Sequence, residues 1–541
     1  MNFEEPNKTP KQNVFLPIIL SLVLIIGIWL GYFLTINITK GQTNQTNQAS
    51  TNEKINSLLD YIEFQYVDTI NKKELVEKTV TSMLQSLDPH SSYIPATEFE
   101  SANESLEGNF DGIGVEFNII KDTIRVINPI EGGPSAKLGI KAGDKLIAVE
   151  NKNITGEKIT NKEVFEKLRG KSGSIVNITI LRNGITKPLH FKITRAAIPI
   201  YSIDASYMIN QTVGYIKIGK FAATTYDEYL KAFNQLNKQG MKKLILDLRG
   251  NPGGYLDAAV SISDEFLSSG LQIVYTQGKA NPKKTYKATE RGSFEKNSLA
   301  ILIDEGSASA SEIVAGAIQD NDRGLIFGRR SFGKGLVQDQ LQLPDGSAIR
   351  LTIARYYTPT GRCIQKPYSD DKTNYYNEEY DRYLKGELFN VDSIKLDKTK
   401  QYKTPEGKIV YGGGGIMPDI FVPIDTTKTN AFLNKVFYAG TINTFAFEYA
   451  DKHRNELKKY INAKTYIENF KISNSILNEF YIYCEKQNLT LNSSQKDKMN
   501  IAVSPYLKAF IGRDAFNNDA YYPIINKDDK CIEKAVEGLL K

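Results

Sequence analysis

The sequence is poor in the side chains that build metal centres, disulfide frameworks and histidine-based sites. Its 541 residues include three cysteines, three histidines and one tryptophan. The cysteines (Cys363, Cys484 and Cys531) are scattered and form no C-x-x-C pair, which argues against a disulfide framework and against a zinc site. Because no other cluster of metal ligands stands out either, the sequence predicts no cofactor.

The excess of positive over negative charge is also small. The net charge of +6 comes from 68 basic and 62 acidic residues, and these are spread along the sequence without a basic run. Proteins that bind nucleic acid concentrate positive charge on one surface, so we expect no nucleic-acid partner. The length exceeds what one hydrophobic core usually supports, which indicates several domains.

One long uncharged run stands near the start. Residues 14–36 read VFLPIILSLVLIIGIWLGYFLTI, and 23 apolar or uncharged residues are enough to cross a hydrocarbon core as a helix. Trp29 and Tyr32 lie near its far end, as interfacial aromatic residues often do. A cleaved signal peptide is the alternative, but no small-x-small cleavage site follows. We therefore expect an uncleaved transmembrane anchor.

The flanking charges predict the orientation of this anchor. Lys8 and Lys11 precede it and favour a cytoplasmic N-terminus at residues 1–13, whereas the acidic Glu4 and Glu5 count little in this rule. The expected location is the inner (cytoplasmic) membrane, with a single pass and with the rest of the protein periplasmic or otherwise outside the cytoplasm.

Two segments separate the anchor from the first folded domain. Residues 37–52 include the polar, low-complexity stretch GQTNQTNQASTN and are interpreted as a linker. Residues 53–103 carry apolar residues at helical spacing and predict a helical segment. Such a helical segment could pair with a second copy of itself, so a homo-oligomer is one hypothesis.

The stretch from Ser298 to Gln338 has the pattern of a nucleophile site. An apolar strand at 299–303 is followed by a glycine turn, three serines and a helix-forming segment that begins near Glu312. A helix N-terminus offers unpaired N–H groups that stabilise an oxyanion. Ser307, Ser309 and Ser311 compete as nucleophile, and the residue pattern alone does not choose among them.

The sequence also leaves open which residue would act as the base that activates such a serine. His90, His190 and His453 all lie more than a hundred residues from Ser309, although folding is able to bring one of them close. Lys334, between two glycines, is nearer in sequence. A lysine acts as a base only when its amine is neutral, which requires burial or nearby positive charge.

Several motifs along the sequence resemble those of the C-terminal processing (tail-specific) peptidases, which are Ser/Lys-dyad serine peptidases. They are GSASASEIVAGAIQD, GRRSFGKGLVQ, LILDLRGNPGGYL, LDPHSSYI and TPTGRCIQ, and they occur in the family order over roughly residues 55–425. The resemblance implies the nucleophile Ser309, the base Lys334, the assisting Gln338, and an oxyanion hole made by the amide of Ala310 with that of Gly253 or Gly254.

Residues 104–196 resemble a PDZ domain. FDGIGV is similar to its carboxylate-binding loop, which implies peptide binding by Gly112, Ile113, Gly114 and Val115. Such a loop receives the C-terminus of a peptide on backbone N–H groups, and the peptide adds as a strand beside an apolar pocket. Arg169, at the end of the expected groove helix, is in position to report groove occupancy to the catalytic site.

The expected fold class is multidomain α+β. After the transmembrane helix, the helical segment and the PDZ domain, residues 197–425 form an α/β peptidase core similar to the crotonase and Clp-protease folds. Within this core, residues 366–408 depart from the family pattern and are interpreted as an exposed insertion. Residues 426–541 are expected to be mainly helical, with no assigned role.

The resulting hypothesis is a membrane-anchored serine endopeptidase whose partners are protein substrates with apolar C-terminal tails. A PDZ-type peptide-binding scaffold without catalysis is the alternative, and the presence of all three dyad-associated residues argues against it. An enoyl-CoA-type enzyme on a related core would not need the PDZ segment.

Overall fold

The computed structural model describes residues 15–40, 46–120, 122–156, 159–369, 372–426, 430–491 and 496–541. The predicted cytoplasmic N-terminus at 1–13 and residues 41–45 of the predicted linker lie outside this range. The protein divides into two compact units, Met1–Met83 and Leu84–Lys541.

The first unit is helical. It contains α1 (Leu16–Lys40), α2 (Thr46–Gln65) and most of α3 (Lys72–Leu87). Lys72 at the start of α3 binds Asp60 and Glu63 of α2 at 2.9 and 2.7 Å. These two exposed ion pairs join the helices and add little stability, because water screens them.

The transmembrane helix predicted at 14–36 is not supported by the described residues. None of their helices is both long and apolar enough to cross a membrane.

The helical segment predicted at 53–103 is interrupted by a strand. After α3 come β1 (Ser92–Ile94) and α4 (Phe99–Glu107). The helix stops because Asp88 precedes a proline and its carboxylate accepts the backbone N–H groups of His90 and Ser91 at 2.8 and 2.9 Å. This turn directs β1 onto a strand far along the sequence, which residue spacing alone did not reveal.

A small β-domain with two short helices follows. Its elements are β2 (Asn109–Gly112), β3 (Val115–Ile120), β4 (Thr123–Pro129), α5 (Pro134–Lys137), β5 (Lys145–Val149), β6 (Lys152–Asn153), α6 (Asn161–Leu168), β7 (Ile175–Leu181), β8 (Leu189–Thr194) and β9 (Ala196–Pro199). The sheet order is β3-β4-β5-β7-β8, with β6 on β5. The backbone enters and leaves this domain through the antiparallel ribbon β2–β9.

The next domain is built on a mainly parallel sheet. Its elements are β10 (Ile203–Met208), β11 (Val213–Ile218), α7 (Thr225–Lys238), β12 (Lys243–Asp247), α8 (Leu256–Asp264), β13 (Gln272–Gln277), β14 (Lys284–Lys287), β15 (Ser298–Ile303), α9 (Ala310–Asp320), β16 (Leu325–Gly328), β17 (Leu336–Gln342) and β18 (Ala348–Tyr357).

Six strands form the central sheet in the order β10-β11-β12-β15-β16-β21, where β21 is Ile420–Phe421. All neighbours are parallel except β10 and β11. The elements β11, α7 and β12 form a parallel strand–helix–strand unit. Because the carboxyl ends of parallel strands meet at one edge, the loops after β12 and β15 lie side by side.

A second sheet stands beside the first. It runs β1-β18-β13-β14, with β17 also paired to β18. β17 and β18 form an antiparallel hairpin. β17 carries a register shift at its start, between Val337 and Gln338, so the strand bends where Lys334 leads into it.

The insertion at 366–408 is not simply exposed, contrary to expectation. It contains α10 (Thr373–Leu384), a 3-10 turn at Val391–Ser393 and β19 (Gln401–Lys403), which pairs with β20 (Ile409–Tyr411) just beyond it. Several of its polar and aromatic side chains are buried: Lys366, Tyr375, Arg382 and Glu387. Its tyrosines differ in exposure: Tyr376, Tyr380 and Tyr383 face solvent, whereas Tyr375 is buried.

The C-terminal region is helical, as expected. Its helices are α11 (Ala431–Tyr438), α12 (Thr441–Lys452), α13 (Arg454–Leu457), α14 (Ala463–Asn469), α15 (Asn474–Glu485), α16 (Lys496–Phe516), α17 (Asn518–Ile525) and α18 (Lys530–Leu540). One apolar cluster of α18 residues, which includes Ile532 and Leu539, packs on Leu302 and Phe327 of the central sheet. This helix therefore covers the sheet face opposite α7, α8 and α9.

The same region also contacts the small β-domain. Arg513 of α16 pairs with Glu116 of β3 at 3.4 Å, and Asn517 accepts a hydrogen bond from Asn128 of β4 at 3.3 Å. The C-terminal helices thus connect the β-domain to the sheet that carries the site described next.

Candidate active site

Ser309 stands at the junction between β15 and α9, where the sequence predicted a nucleophile. It is the residue before α9, and its backbone adopts φ 54° and ψ −111°. Positive φ is uncommon for a residue with a side chain and marks local strain, which is concentrated at functional sites. Ser309 is partly exposed and lines a cleft of about 770 Å³.

The structure distinguishes the three serines that the sequence left open. Ser307 and Ser311 are fully buried. Their hydroxyls donate to the backbone carbonyls of Leu248 at 2.8 Å and Asn251 at 3.0 Å, which joins the β15–α9 turn to the loop after β12. Ser309 is the serine of this turn that opens on the cleft, so only its hydroxyl is accessible to a substrate.

Lys334 lines the same cleft, and its amine is held by Gln338. Nζ donates to Oε1 of Gln338 at 3.0 Å, and the amide of Gln338 donates in turn to the backbone carbonyl of His90 at 2.6 Å. Burial lowers the pKa of the Lys334 amine, and the positive charge of Arg350 lowers it further. The expected contact between Lys334 and Gln338 is present.

The glycines on both sides of Lys334 allow the backbone to pass close to its neighbours. A Cβ on Gly335 would lie 2.9 Å from the backbone nitrogen of Gln365. Gly333 has φ 89°, and a Cβ there would lie 3.1 Å from that of Lys366. This close approach contributes to the burial that a neutral amine requires.

Glu312 joins the Ser309 segment to the Lys334 segment. Its side chain is fully buried. One carboxylate oxygen accepts the backbone N–H groups of Ser309 and Lys334, both at 2.9 Å, and the other accepts Gly333 N–H at 2.7 Å and the Ser331 hydroxyl at 2.5 Å. Burial raises the pKa of Glu312 to about 7, and these donors limit the rise.

The sequence placed Glu312 near the start of the helix-forming segment but gave it no further role. A glutamate within an otherwise apolar and small-residue helix start was the available signal. Its position three residues after Ser309 brings the carboxylate back to the serine N–H, as in a helix capping box.

Tyr356 is a second connection, and the sequence offered no signal for it. Its hydroxyl lies 2.5 Å from the backbone carbonyl of Lys334 and 3.1 Å from that of Ser309, so one phenol bridges both segments. Tyr356 lies on β18, and its ring is buried.

The glycine loop after β12 packs directly against Ser309. Gly253 has φ 99°, and a Cβ on it would lie 2.7 Å from the Ser309 Cβ and 2.9 Å from the Ala310 nitrogen. Gly254 has φ 148°, and a Cβ there would overlap the carbonyl of Phe221. The Gly253 N–H donates to the side chain of Asn251 at 2.8 Å in this structure. Only glycine fits either position.

Charged residues fix the base of this loop. Asp247, at the end of β12, is buried, and Arg249 binds it through its side chain. Burial alone would raise the pKa of Asp247, but Arg249 and Lys217 outweigh it and hold the pKa at about 2. Arg249 also binds Asp529 ahead of α18 at 2.9 Å. The C-terminal region thereby reaches the start of the glycine loop.

None of the three histidines occupies the position of a serine-activating base. The ring of His90 bonds to the Tyr375 hydroxyl at 2.7 Å. Burial lowers the pKa of His90 to about 4, and the positive charge of Lys334 contributes to this shift. His190 contacts Thr179 within the β-domain, and His453 contacts Glu456 in the C-terminal region.

The loop predicted to bind peptide carboxylates joins β2 to β3. Gly112 closes the β2–β9 ribbon, Ile113 is buried, Gly114 has φ 72°, and Val115 begins β3. The N–H and hydroxyl of Ser135 donate to the Ile113 carbonyl at 3.1 and 2.6 Å, which fixes the loop from behind.

Arg169, at the end of α6, connects this domain to α4. Its guanidinium stacks over the rings of Phe110 and Phe165 at 4.7 and 4.6 Å and pairs with Glu104 at 2.5 Å. Glu104 belongs to α4, whose residues 102, 103, 105 and 106 line the cleft.

Metal binding has no candidate within the described ranges. There, no group of three or more His, Cys, Asp or Glu side chains is arranged to hold a metal ion.

Comparison with known families matches four parts of the sequence. Residues 212–371 match peptidase family S41, residues 112–193 match the PDZ domain, residues 34–97 match the activating protease CtpB N-terminal domain, and residues 432–517 match a family of unknown function (DUF8443).

Relatives of known name are similar over most of their length. The carboxy-terminal-processing protease of Bartonella bacilliformis is 38% identical over 327 residues, which are 60% of this protein and 74% of the relative. Carboxy-terminal processing protease CtpA of Bacillus subtilis is 32% identical over 358 residues, 66% of this protein and 76% of the relative. The solved photosystem II D1 C-terminal processing protease is 24% identical, and the match covers 68% of this protein and 86% of that one, with a TM-score of 0.36.

Proposed function

The protein belongs to peptidase family S41, as a carboxy-terminal processing serine endopeptidase with a PDZ domain, and we propose that it cleaves its substrates through a dyad of Ser309 and Lys334. One observation carries this proposal. A single buried carboxylate, that of Glu312, accepts the backbone N–H groups of both Ser309 and Lys334. The two segments are therefore tied to one another at the cleft.

The proposed chemistry begins with proton transfer. The neutral Lys334 amine takes the proton of the Ser309 hydroxyl as its oxygen attacks the scissile carbonyl carbon. The oxyanion is stabilised by the amide of Ala310 together with that of Gly253 or Gly254. The ammonium of Lys334 then gives its proton to the leaving amine, and an ester remains on Ser309. Water, deprotonated by Lys334, hydrolyses that ester.

Burial and charge support the neutral amine that this scheme requires. Desolvation and Arg350 lower the pKa of Lys334, whereas Glu312 and Asp88 oppose the shift. Gln338 accepts from Nζ, which leaves the nitrogen lone pair free to face the cleft. The sign of the pH dependence follows: activity is present above the pKa of Lys334 in the folded enzyme and is lost as pH falls through it.

Cleavage of an unstructured protein with an apolar C-terminal tail tests the dyad. Soluble protein spanning residues 41–541 would be compared with Ser309→Ala and Lys334→Ala, and with Lys385→Ala as an exposed control. We expect wild type and control to cut and both site variants to lose at least about 1000-fold in kcat. Equal cleavage by all four would place the nucleophile elsewhere. If none cuts even with a tail peptide added, the non-catalytic scaffold is the better interpretation.

We further propose that the PDZ domain recognises the apolar C-terminus of the substrate. The fixed Gly112–Val115 loop supports carboxylate capture by backbone N–H groups. Beside it, Phe117 of β3 faces Phe165 of α6 at 5.5 Å, and Phe165 remains partly exposed, which suits an apolar final side chain.

Peptide binding measured by fluorescence anisotropy tests this recognition. A peptide with a free apolar C-terminus is expected to bind at least about tenfold more tightly than the same peptide with a C-terminal amide, because hydrogen bonds to a charged group are worth roughly 1.5–3 kcal/mol. A peptide ending in Asp is the matched control for the pocket. Equal affinity of all three would refute capture of an apolar tail.

The membrane location is a proposal from the sequence. The uncharged run at 14–36 supports a single-pass anchor in the inner membrane, with the catalytic part periplasmic or extracytoplasmic. Alkaline extraction of membranes tests the anchor, and protease accessibility in spheroplasts tests the orientation. Release of the full-length protein by alkali, or protection of residues 84–541 in intact spheroplasts, would contradict it.

A homo-oligomer is also proposed, formed through the helices of the first unit. Leu58, Tyr61 and Phe64 of α2 are exposed there, and apolar surface of this kind favours pairing. Analytical ultracentrifugation of residues 41–541 is expected to show a dimer that Leu58→Glu with Phe64→Glu dissociates. A wild-type monomer at micromolar concentration would contradict this proposal.

A further inference from the structure

The segment that leads to Lys334 is bound from the side of the insertion as well as from the core. The guanidinium of Arg382, on α10, donates to the backbone carbonyls of Arg330 at 2.5 Å and Ser331 at 3.1 Å. Arg382 is 3% exposed. Buried carbonyl groups require a donor, and one planar guanidinium supplies two successive carbonyls at once.

Arg382 is itself oriented by a buried network of charges. Glu387 accepts from Arg382 at 3.1 Å and from Arg330 at 2.8 Å. Glu378 accepts from Arg330 at 3.1 Å and from Lys366 at 2.7 Å. Ion pairs at this depth are costly to desolvate, so they add little net stability, but their hydrogen bonds define one geometry.

Lys366, the first residue of the insertion, and Gln365, the residue before it, hold the other end of the same segment. The Gly333 carbonyl accepts the N–H of Lys366 at 2.9 Å, and the Gly335 N–H donates to the side chain of Gln365 at 2.8 Å. The ammonium of Lys366 also lies 3.9 Å from the ring centroid of Phe332. Residues 330–335 therefore have insertion contacts on one side and Glu312 on the other.

This arrangement matters because the segment is not held by regular secondary structure. Residues 329–335 lie between β16 and β17, and Gly333 has positive φ. A glycine-containing loop has many accessible conformations, and external contacts must select one of them.

We propose that Arg382 is a positioning residue for Lys334, and that the insertion at 366–408 is a brace that holds the base side of the active site. The inference rests on the proposed dyad. Without the brace, the two carbonyls lose their donor, the loop relaxes, and water reaches the Lys334 amine. Misplacement lowers turnover, and hydration shifts the amine towards its ordinary basicity.

The charged groups around the Lys334 amine define how the pH dependence is interpreted. They are Arg350 on β18, Glu312 on α9 and Asp88 ahead of β1, and the pKa of the neighbouring His90 ring, about 4, keeps that ring neutral at physiological pH. None of these is replaced in the variants below, so the variants change the surroundings of the amine only through the segment at 330–335.

The test uses the full-length protein in detergent and an unstructured protein substrate with an apolar tail. The variants are Arg382→Gln, Arg382→Lys and Glu387→Gln, with Lys334→Ala in parallel and Tyr380→Ala as the control on the exposed face of α10. We expect Arg382→Gln to lower kcat by about 10- to 100-fold with little change in KM. Its acid limb moves to higher pH, Arg382→Lys is intermediate, and Tyr380→Ala behaves as wild type.

The outcomes separate this inference from the dyad itself. If Lys334→Ala is inactive while Arg382→Gln keeps the wild-type kcat and acid limb, the brace is wrong and the dyad stands. If Lys334→Ala is fully active, the dyad fails and the brace fails with it. Should Arg382→Gln not fold, Glu387→Gln decides: it leaves Arg382 in place, a displaced acid limb supports the brace, and an unchanged one overturns it.

Discussion

The two halves of the active site are positioned in different ways. Ser309 is placed by its own strand, turn and helix, all within residues 298–320. Lys334 lies in a glycine-containing loop and is placed by residues from elsewhere, including Tyr356 on β18, Gln365 and Arg382. Two residues contact both halves: Glu312, which is local to Ser309 and distant from Lys334, and Tyr356, which is distant from both.

This difference shows where each half is vulnerable. The serine half depends on close packing of its own turn against the glycine loop after β12, so it is disrupted by adding atoms at that contact. The lysine half depends on hydrogen bonds from several elements, so it is weakened gradually as each one is removed. Substitutions that act by these two routes are expected to differ in size, and they are given from the largest effect to the smallest.

Gly253→Ala attacks the serine half. Its Cβ would lie 2.7 Å from both the Ser309 Cβ and the Ala308 carbonyl, at a backbone φ of 99° that disfavours alanine. We expect kcat/KM to fall by about 100- to 1000-fold, because the nucleophile and the oxyanion donors are displaced together.

Gly250→Ala is the matched control for that change. It lies in the same loop at φ 68°, but no atom lies within 4 Å of its added Cβ. Both variants carry the cost of positive φ, so only Gly253→Ala should lose activity beyond what the loss of stability explains. Equal activity of the two folded variants would refute the steric role.

Glu312→Gln tests the group that both halves share. The substituted amide keeps the shape, but its NH₂ faces backbone donors and cannot accept from them. We expect a roughly 100-fold loss of kcat and a lower melting temperature. Glu305→Gln is the control, since Glu305 lies in the same turn and binds Arg329. An unchanged kcat in Glu312→Gln would break the proposed link between the halves.

Tyr356→Phe removes one bridging hydroxyl and nothing else. A single hydrogen bond is worth roughly 0.5–1.5 kcal/mol, so we expect kcat to fall by about 2- to 12-fold. The neighbouring Tyr357→Phe provides the comparison, because that ring stacks on Tyr275 at 4.7 Å. Equal rates for the two variants would show that the bridge has no effect on catalysis.

His90→Asn is expected to have the smallest effect. The ring bonds to Tyr375, and the pKa of His90, at about 4, keeps it neutral at physiological pH. The pH–rate profile between pH 5 and 9 should therefore keep its acid limb, with kcat within about threefold of wild type. Loss of the acid limb in this variant would favour a histidine base and contradict the role of the lysine half.

Sequence motifs predicted the secondary structure around Ser309, because that structure is local. The strand at 299–303, the helix after Ser309 and the glycine loop are all contiguous patterns. Choosing Ser309 over Ser307 and Ser311 required either the family resemblance or the structure, because only the structure shows which hydroxyls are already bound.

The partners of Lys334 could be predicted only in part. Gln338 was found because it follows four residues later. Tyr356 and Arg382 could not be found, since their contacts depend on how β18 and α10 pack, and neither has a fixed sequence distance from Lys334. The insertion was expected to be exposed because it is rich in charged residues and tyrosines. Composition alone does not show which of these side chains are buried.

The same limit applies to the larger architecture. The β1 strand was missed because its partner, β18, is more than two hundred residues away. The helical character of residues 426–541 was clear from composition and spacing. The packing of α18 on one face of the central sheet could not be predicted, because a helix with one apolar face fits many surfaces.

Chemical rescue of Lys334→Cys tests most directly whether Lys334 is the base. Alkylation with bromoethylamine restores an amine of nearly the same length, and its sulfur makes that amine less basic. Treated wild type controls for modification of the native cysteines. We predict an inactive Lys334→Cys, restored cleavage after alkylation, and an acid limb displaced to lower pH. Activity in the untreated variant would contradict a lysine base. So would a rescued enzyme with an unmoved acid limb, because that limb would then belong to Glu312, whose pKa is about 7.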